Sequence, residues 1–277
     1  MLDALAAAVR ALLYAGVLSM VGFVLAELTL RPSQAMVHWL DRMTRRAAAL
    51  TIAACILGTF VLFLRLGGQL DEATGSAVLT SSVGAATGLQ MAGALMLLFA
   101  VREPSSSPVG RAGNAAIAVA SFAFNGHAAV VGFVEGLVAA AHVTAASWWL
   151  GALFLMRHEC EHEPAQFAAL VQRFAALALR LVGGLVIAGL ILVLILVDFD
   201  RNPWLTPYVR ALAIKVAIAL SVLGLAAYNK LRLTPPLMSG DAHAARTLRS
   251  TITAELLLIG AVLITTAILT TYTSPHE

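Results

Sequence analysis

Apolar runs of about 20 residues, each long enough to cross a bilayer, recur along this 277-residue chain with only short polar joints between them. No other feature constrains the fold as strongly. In lipid, each backbone N–H and C=O must find its partner within the chain, so consecutive runs of this length fold as helices. Eight spans are predicted, over residues 4–30, 47–66, 78–101, 113–128, 131–156, 176–197, 206–228 and 250–272. The expected fold is all-α, a polytopic membrane protein built as a bundle of eight transmembrane helices, with residues 1–277 forming a single integral membrane domain. Apolar residues at helical spacing in "FAALVQRFAALALR" extend the sixth span backwards as an amphipathic lead-in. Gly and Pro mark the joints at "RLGGQ", "REPSSSP", "DRNPW" and "LTPPLMSGD".

Only 12% of the residues are charged, against roughly a quarter in soluble domains, which leaves almost nothing for a soluble domain. The formal charge of +3 does not point to nucleic acid. It reflects arginines that anchor joints at a membrane surface, where lipids are the partner. Arg31, Arg42, Arg45 and Arg46 fall in the first joint, Arg102 and Arg111 in the third, Arg157 and Arg173 in the fifth, and Lys230, Arg232, Arg246 and Arg249 in the seventh. The even joints are poorer in positive charge, so the odd joints are expected in the cytoplasm and both termini outside. In a bacterial inner membrane, where this composition points, outside means the periplasm. The first run follows Asp3 rather than a basic segment and is longer than a secretory core, so it is expected to be retained, with an unprocessed N-terminus. Cys55 lies in an apolar run and Cys160 in a charged joint, so no disulfide is expected between them.

Ionisable groups inside such spans mark functional positions or interhelical bonds, because each costs about 2–3 kcal/mol or more facing lipid at mid-depth. Glu135, His142, Trp149 and Met156 follow one another at intervals of seven residues. Seven residues is nearly two helical turns, so the four side chains form one slanting stripe, expected to face other helices. His127 ends the preceding span, and the turn "AAVVG" brings the chain straight back, so the two imidazoles belong to neighbouring antiparallel helices. Neutral imidazole suits copper, zinc and haem iron, and thioether suits Cu(I); Met20, Met91, Met96 and Met156 supply intramembrane sulfur. Glu27, Arg180, Lys215 and Glu255 are further intramembrane charges, with a Lys215–Glu255 ion pair as the plain structural reading and unequal depth against it. Tyr228 and Asn229 read as an interfacial cap on the seventh helix. In "RHECEHEPAQ", His158, Cys160 and His162 alternate among carboxylates, a spacing that either chelates a soft or borderline metal or forms a solvated acidic loop. No phosphate-binding loop, zinc-protease motif or nucleophile elbow is present, so neither an enzyme nor an ATP-driven pump is expected.

"GHA" at residues 126–128 followed by "HVTAASWWLGALF" resembles the signature of the copper resistance protein D family, in which a Gly-His-Ala ends one helix and a His-x6-Trp-x-Gly pattern lies on the next. The resemblance continues through Lys215 and Asn229 and into the last span with Glu255, and is best over residues 121–275. It implies an eight-helix inner-membrane copper importer or resistance component, commonly encoded with a periplasmic copper-binding protein of the CopC type that is a candidate partner. By position it implies His127 and His142 as copper contacts, Trp149 and Gly151 as shapers of the helix contact, and Lys215 and Glu255 in weaker correspondence. Three readings stand at this point. The first is copper transport through Glu135, His142 and Met156, with Glu255 as a further ligand, toward His158, Cys160 and His162. The second is a haem b redox protein with histidines on adjacent helices, where small residues such as Ala139 and Ala145 leave room for a flat cofactor. The third is a metal-delivery scaffold that transports nothing.

Overall fold

A computed structural model describes residues 1–67, 72–103, 106–124, 132–160, 164–197 and 206–273. Those residues form helices α1 (Leu2–Leu30), α2 (Gln34–Arg65), α3 (Glu72–Thr80), α4 (Ser82–Ala100), α5 (Pro108–Ala120), α6 (Phe133–Glu159), α7 (Pro164–Leu196), α8 (Pro207–Tyr228), α9 (Thr234–Met238) and α10 (Ala242–Tyr272). No strand occurs among them. The chain is an all-α polytopic membrane protein: seven of the described helices are long and apolar enough to cross a bilayer. The predicted spans overlap described helices, the fourth through the 13-residue α5 and the 3-10 turn Ser121–Ala123 that continues it, while its residues 125–128 lie outside the described residues.

Helix ends do not follow the limits of the apolar runs. α2 starts at Gln34, with Ser33 in an extended N-cap conformation, so Arg42, Arg45 and Arg46 lie within a helix and not in a joint. Likewise the Asp241 carboxylate accepts from the backbone N–H groups of His243 and Ala244 and starts α10 eight residues before the predicted span. The lead-in to the sixth span is helical from Pro164. The third span, expected to be continuous from residue 78, breaks at Ser81, whose hydroxyl instead caps α4 by accepting from Gly84 N. Such local bonding by serine competes with continued helix.

The main core gathers around α1, which packs against α2, α4, α5, α6 and α10. Its tightest crossing is with α6 at Gly22 and Gly151. A Cβ on Gly22 would collide with the Ser147 carbonyl oxygen, and one on Gly151 with the Gly22 backbone. Contact of this kind replaces the hydrophobic drive that lipid removes, since packing and interhelical hydrogen bonds hold membrane helices together. Trp148 lies at the same crossing, donating its indole N–H to Thr29 Oγ1 at 2.8 Å and stacking on Phe174 of α7 at 5.4 Å. Near the arginine-bearing end of α1, the Arg111 guanidinium bridges Glu27 at 2.5 Å and Asp41 at 2.7 Å, tying α5 to α1 and α2. Arg111 and Glu27 are buried, so each depends on the other for its charge to be tolerated.

α7 and α8 are peripheral. α7 packs on α6, while α8 packs mainly on α10. They approach each other at one end of the bundle, where Val193 and Val197 of the α7 end cluster with Tyr208, Val209, Ala211 and Leu212 of α8 and Leu269 of α10.

Candidate polar sites among helices α6, α7, α8 and α10

The stripe on α6 meets a different environment at each step. Glu135 sits in the first turn, where a carboxylate complements the helix dipole, and its side chain folds back over Gly132. Seven residues on, roughly 10 Å along the axis, His142 turns toward α7. Its Nδ1 lies 3.1 Å from the Leu185 carbonyl oxygen. A carbonyl can only accept, so Nδ1 carries the proton and Nε2 keeps the lone pair. Gly189 makes room for the ring: a Cβ there would come within 3.1 Å of His142 Cε1.

Lys215 of α8 lies at a similar level of the bundle. The helix registers agree with that placement. Gly189 lies one turn from Val193, and Lys215 lies one turn from Ala211 and Leu212, the residues that cluster with Val193 at the end of the bundle. Among the described residues Lys215 has no carboxylate partner. The Lys215–Glu255 ion pair considered from sequence is therefore not formed.

Glu255 belongs to a second node. It is buried on α10 and accepts a short hydrogen bond from Asn229 Nδ2. The Trp149 indole N–H approaches the same carboxylate without reaching hydrogen-bond geometry. Asn229 is thus not an interfacial cap. After Tyr228 the chain takes a π-helical turn, Asn229–Leu233, before entering α9, and this turn holds Asn229 in the interior. π-Turns of this kind recur at functional sites. The Asn229 Oδ1 is buried without a partner among the described residues, which leaves a polar atom available beside the carboxylate.

Met156, two turns beyond Trp149, is buried in the main core. Met20 is also in that core and accepts from Thr51 Oγ1 at 3.7 Å, whereas Met96 faces outward. At the end of α6 the alternating donors diverge: His158 stacks on Trp39 of α2 at 4.3 Å, while Cys160 Sγ points to the Ala245 carbonyl of α10 at 3.6 Å. Beside them a cavity of about 200 Å3 opens between Arg31, Ser33, Glu159, Gln166 and Arg173. His127 and His162 lie outside the described residues, so the expected pairing of His127 with His142 is not described. Among the described residues no three His, Cys, Asp or Glu side chains converge as a preformed metal site. Sequence reasoning treated Arg111 only as a joint charge and passed over Asp41 and Gly22, because their roles depend on partners remote in the chain.

Residues 168–269 match the family described as copper resistance protein D, and residues 1–137 match the family described as copper resistance protein D-like, N-terminal domain. Lys215, Asn229 and Glu255 fall in the first match and Glu135 in the second; His142, Trp149 and Met156 lie between the two. No curated protein and no solved structure matches the chain.

Proposed function

The chain belongs to the copper resistance protein D family, and from that premise we propose that it carries copper inward across a bacterial inner membrane, as a transporter rather than an enzyme. The observation that carries this reading is the His142 imidazole, fixed through Nδ1 on the Leu185 carbonyl so that Nε2 remains a nitrogen donor within the membrane. A ligand histidine whose second nitrogen is held by a backbone carbonyl has its tautomer and ring plane set in advance. With the odd joints in the cytoplasm, Glu135 and His127 stand toward the periplasm. Copper handed over by a CopC-type protein enters there and meets His142 next. Trp149, Asn229 and Glu255 form the next polar station, with the Met156 sulfur beyond it. His158, Cys160 and His162 receive the ion on the cytosolic side.

Metal and haem analysis of the purified protein, with an absorption spectrum, tests this before any transport assay. Stoichiometric copper without a Soret band is expected, falling at least about tenfold in affinity in His142→Ala. Cells producing the wild-type protein should accumulate copper and cells producing His142→Ala should not. Unchanged copper binding and uptake in that variant would sink the reading. A Soret band lost with His142 would replace it by the haem reading, and copper binding without any change in cell copper would replace it by the delivery scaffold.

A further inference from the structure

The proposed copper route leaves out the cavity of about 200 Å3 at the arginine-bearing end of the bundle. It lies between the joint that links α1 to α2 and the first turns of α7, and its polar lining is Arg31, Ser33, Glu159, Gln166 and Arg173. Arg31 and Arg173 are exposed, whereas Glu159 is buried, so the charges that this cleft presents outward are both positive. We propose that the cleft binds the phosphate headgroup of an anionic phospholipid, with Arg31, Arg173 and Arg180 as its partners and an acyl chain lying along α7.

Arg173 donates from Nη1 to the Leu30 carbonyl at 2.9 Å and to the Arg31 carbonyl at 2.8 Å, which neutralises the C-terminal end of α1 and fixes the guanidinium at the cleft. Both bonds come from one nitrogen, so Nε and Nη2 are left to donate in the paired geometry that suits a phosphate. Ser33 is the N-cap of α2 and its side chain makes no cap bond, so the start of that helix complements an anion in the same cleft. The course of α7 separates a lipid from a free phosphate. With 33 residues this helix is roughly 50 Å long by the standard rise, well over the ~30 Å of bilayer hydrocarbon. Its residues 181–196 carry no ionisable side chain, so Arg180 marks the edge of the apolar stretch and Arg173 lies two turns outside it. Arg173, Arg180, Ile187 and Leu194 follow at intervals of seven and form one stripe, exposed throughout. The face of α7 that walls the cleft thus continues into lipid as an apolar track. Arg180 makes no ion pair among the described residues. An arginine on a lipid-facing surface extends its head toward the membrane interface, which brings it to the level of a headgroup held in the cleft. Basic pockets between membrane helices suit acidic headgroups for the same reason.

The test titrates the delipidated full-length protein in detergent with dioleoyl phosphatidylglycerol, dioleoyl phosphatidylcholine or inorganic phosphate. Native mass spectrometry then counts bound molecules for the wild type, Arg31→Gln, Arg180→Gln and Arg42→Gln. The wild type should retain phosphatidylglycerol in preference to phosphatidylcholine, and inorganic phosphate at the same concentration should leave that binding unchanged. Arg31→Gln and Arg180→Gln should each weaken it about fivefold, the effect of one basic side chain at an anionic lipid surface. Arg42→Gln should not, because Arg42 is exposed on α2 outside the cleft lining. Arg173 is spared because its loss would also strand the α1 carbonyls. If Arg31→Gln does not elute as a single species, Arg180→Gln decides alone, since that side chain is exposed. Equal retention of the two lipids, unchanged binding in Arg180→Gln, or the same loss in Arg42→Gln would overturn the proposal. Displacement of the lipid by inorganic phosphate would assign the cleft to a free anion and overturn it too. None of these readouts involves copper, so their failure leaves the function proposed above standing.

Discussion

Around α1 the helices meet backbone to backbone, and more than half of its most apolar stretch is buried; the corresponding stretch of α7 has no buried residue and that of α8 only 6%. Both regions have the composition of membrane helices, yet they are built differently. The first is closed by glycine contact at Gly22 and Gly151 and by the buried Arg111 bridge. The second presents long apolar faces outward and carries two polar nodes on its inner side. A closely packed half and a more peripheral half suit the transport proposed above, because elements that must move are drawn from regions with few buried contacts. The polar groups that copper would use lie where α6, the last helix of the tight region, meets the loose one.

Substitutions can break this contrast at several strengths. Gly22→Leu or Gly151→Leu should have the largest effect, loss of any monodisperse membrane-inserted protein in size-exclusion chromatography, because the displaced atoms are backbone. Arg111→Ala should destabilise by about 3–5 kcal/mol, since it strands buried Glu27 without its partner; thermal unfolding in detergent measures it. Asn229→Ala should leave the protein folded and lower copper affinity roughly tenfold, the effect expected when a group orienting a metal-site carboxylate is lost. Gly183→Ala and Gly224→Ala should have the smallest effect, about 0.5–1 kcal/mol of stabilisation from helix propensity alone, because a Cβ at either position meets nothing within 4 Å. If Gly224→Ala proved as damaging as Gly22→Leu, the loose half would be tightly covered in the membrane and the contrast would fail.

Much of the fold was legible. Hydropathy alone placed spans that overlap described helices, because lipid permits little else for a long apolar run. Boundaries were less legible: α2 and α10 begin well before their apolar runs, since Ser33 and Asp241 set those ends by local geometry rather than hydrophobicity. Of the site, the stripe through His142, Trp149 and Met156 was readable from its spacing. Which helix each member would meet was not. A Lys215–Glu255 ion pair was one reading of two intramembrane charges, with their unequal depth against it. In the fold Lys215 has no carboxylate partner among the described residues, while Glu255 takes its hydrogen bond from Asn229, held inward by a π-turn that no spacing rule announces.

The order of apolar runs and joints by itself determined that this chain is a multi-span helical protein, and the types of its intramembrane side chains determined that polar groups had to be housed inside it. Both follow from local chemistry, the transfer of a residue or a backbone amide between water and lipid. Only the tertiary structure decided which polar groups share a site. That choice depends on helix crossings such as Gly22 against Gly151 and on the rotation of each helix about its axis, quantities set by contacts between residues more than 100 positions apart.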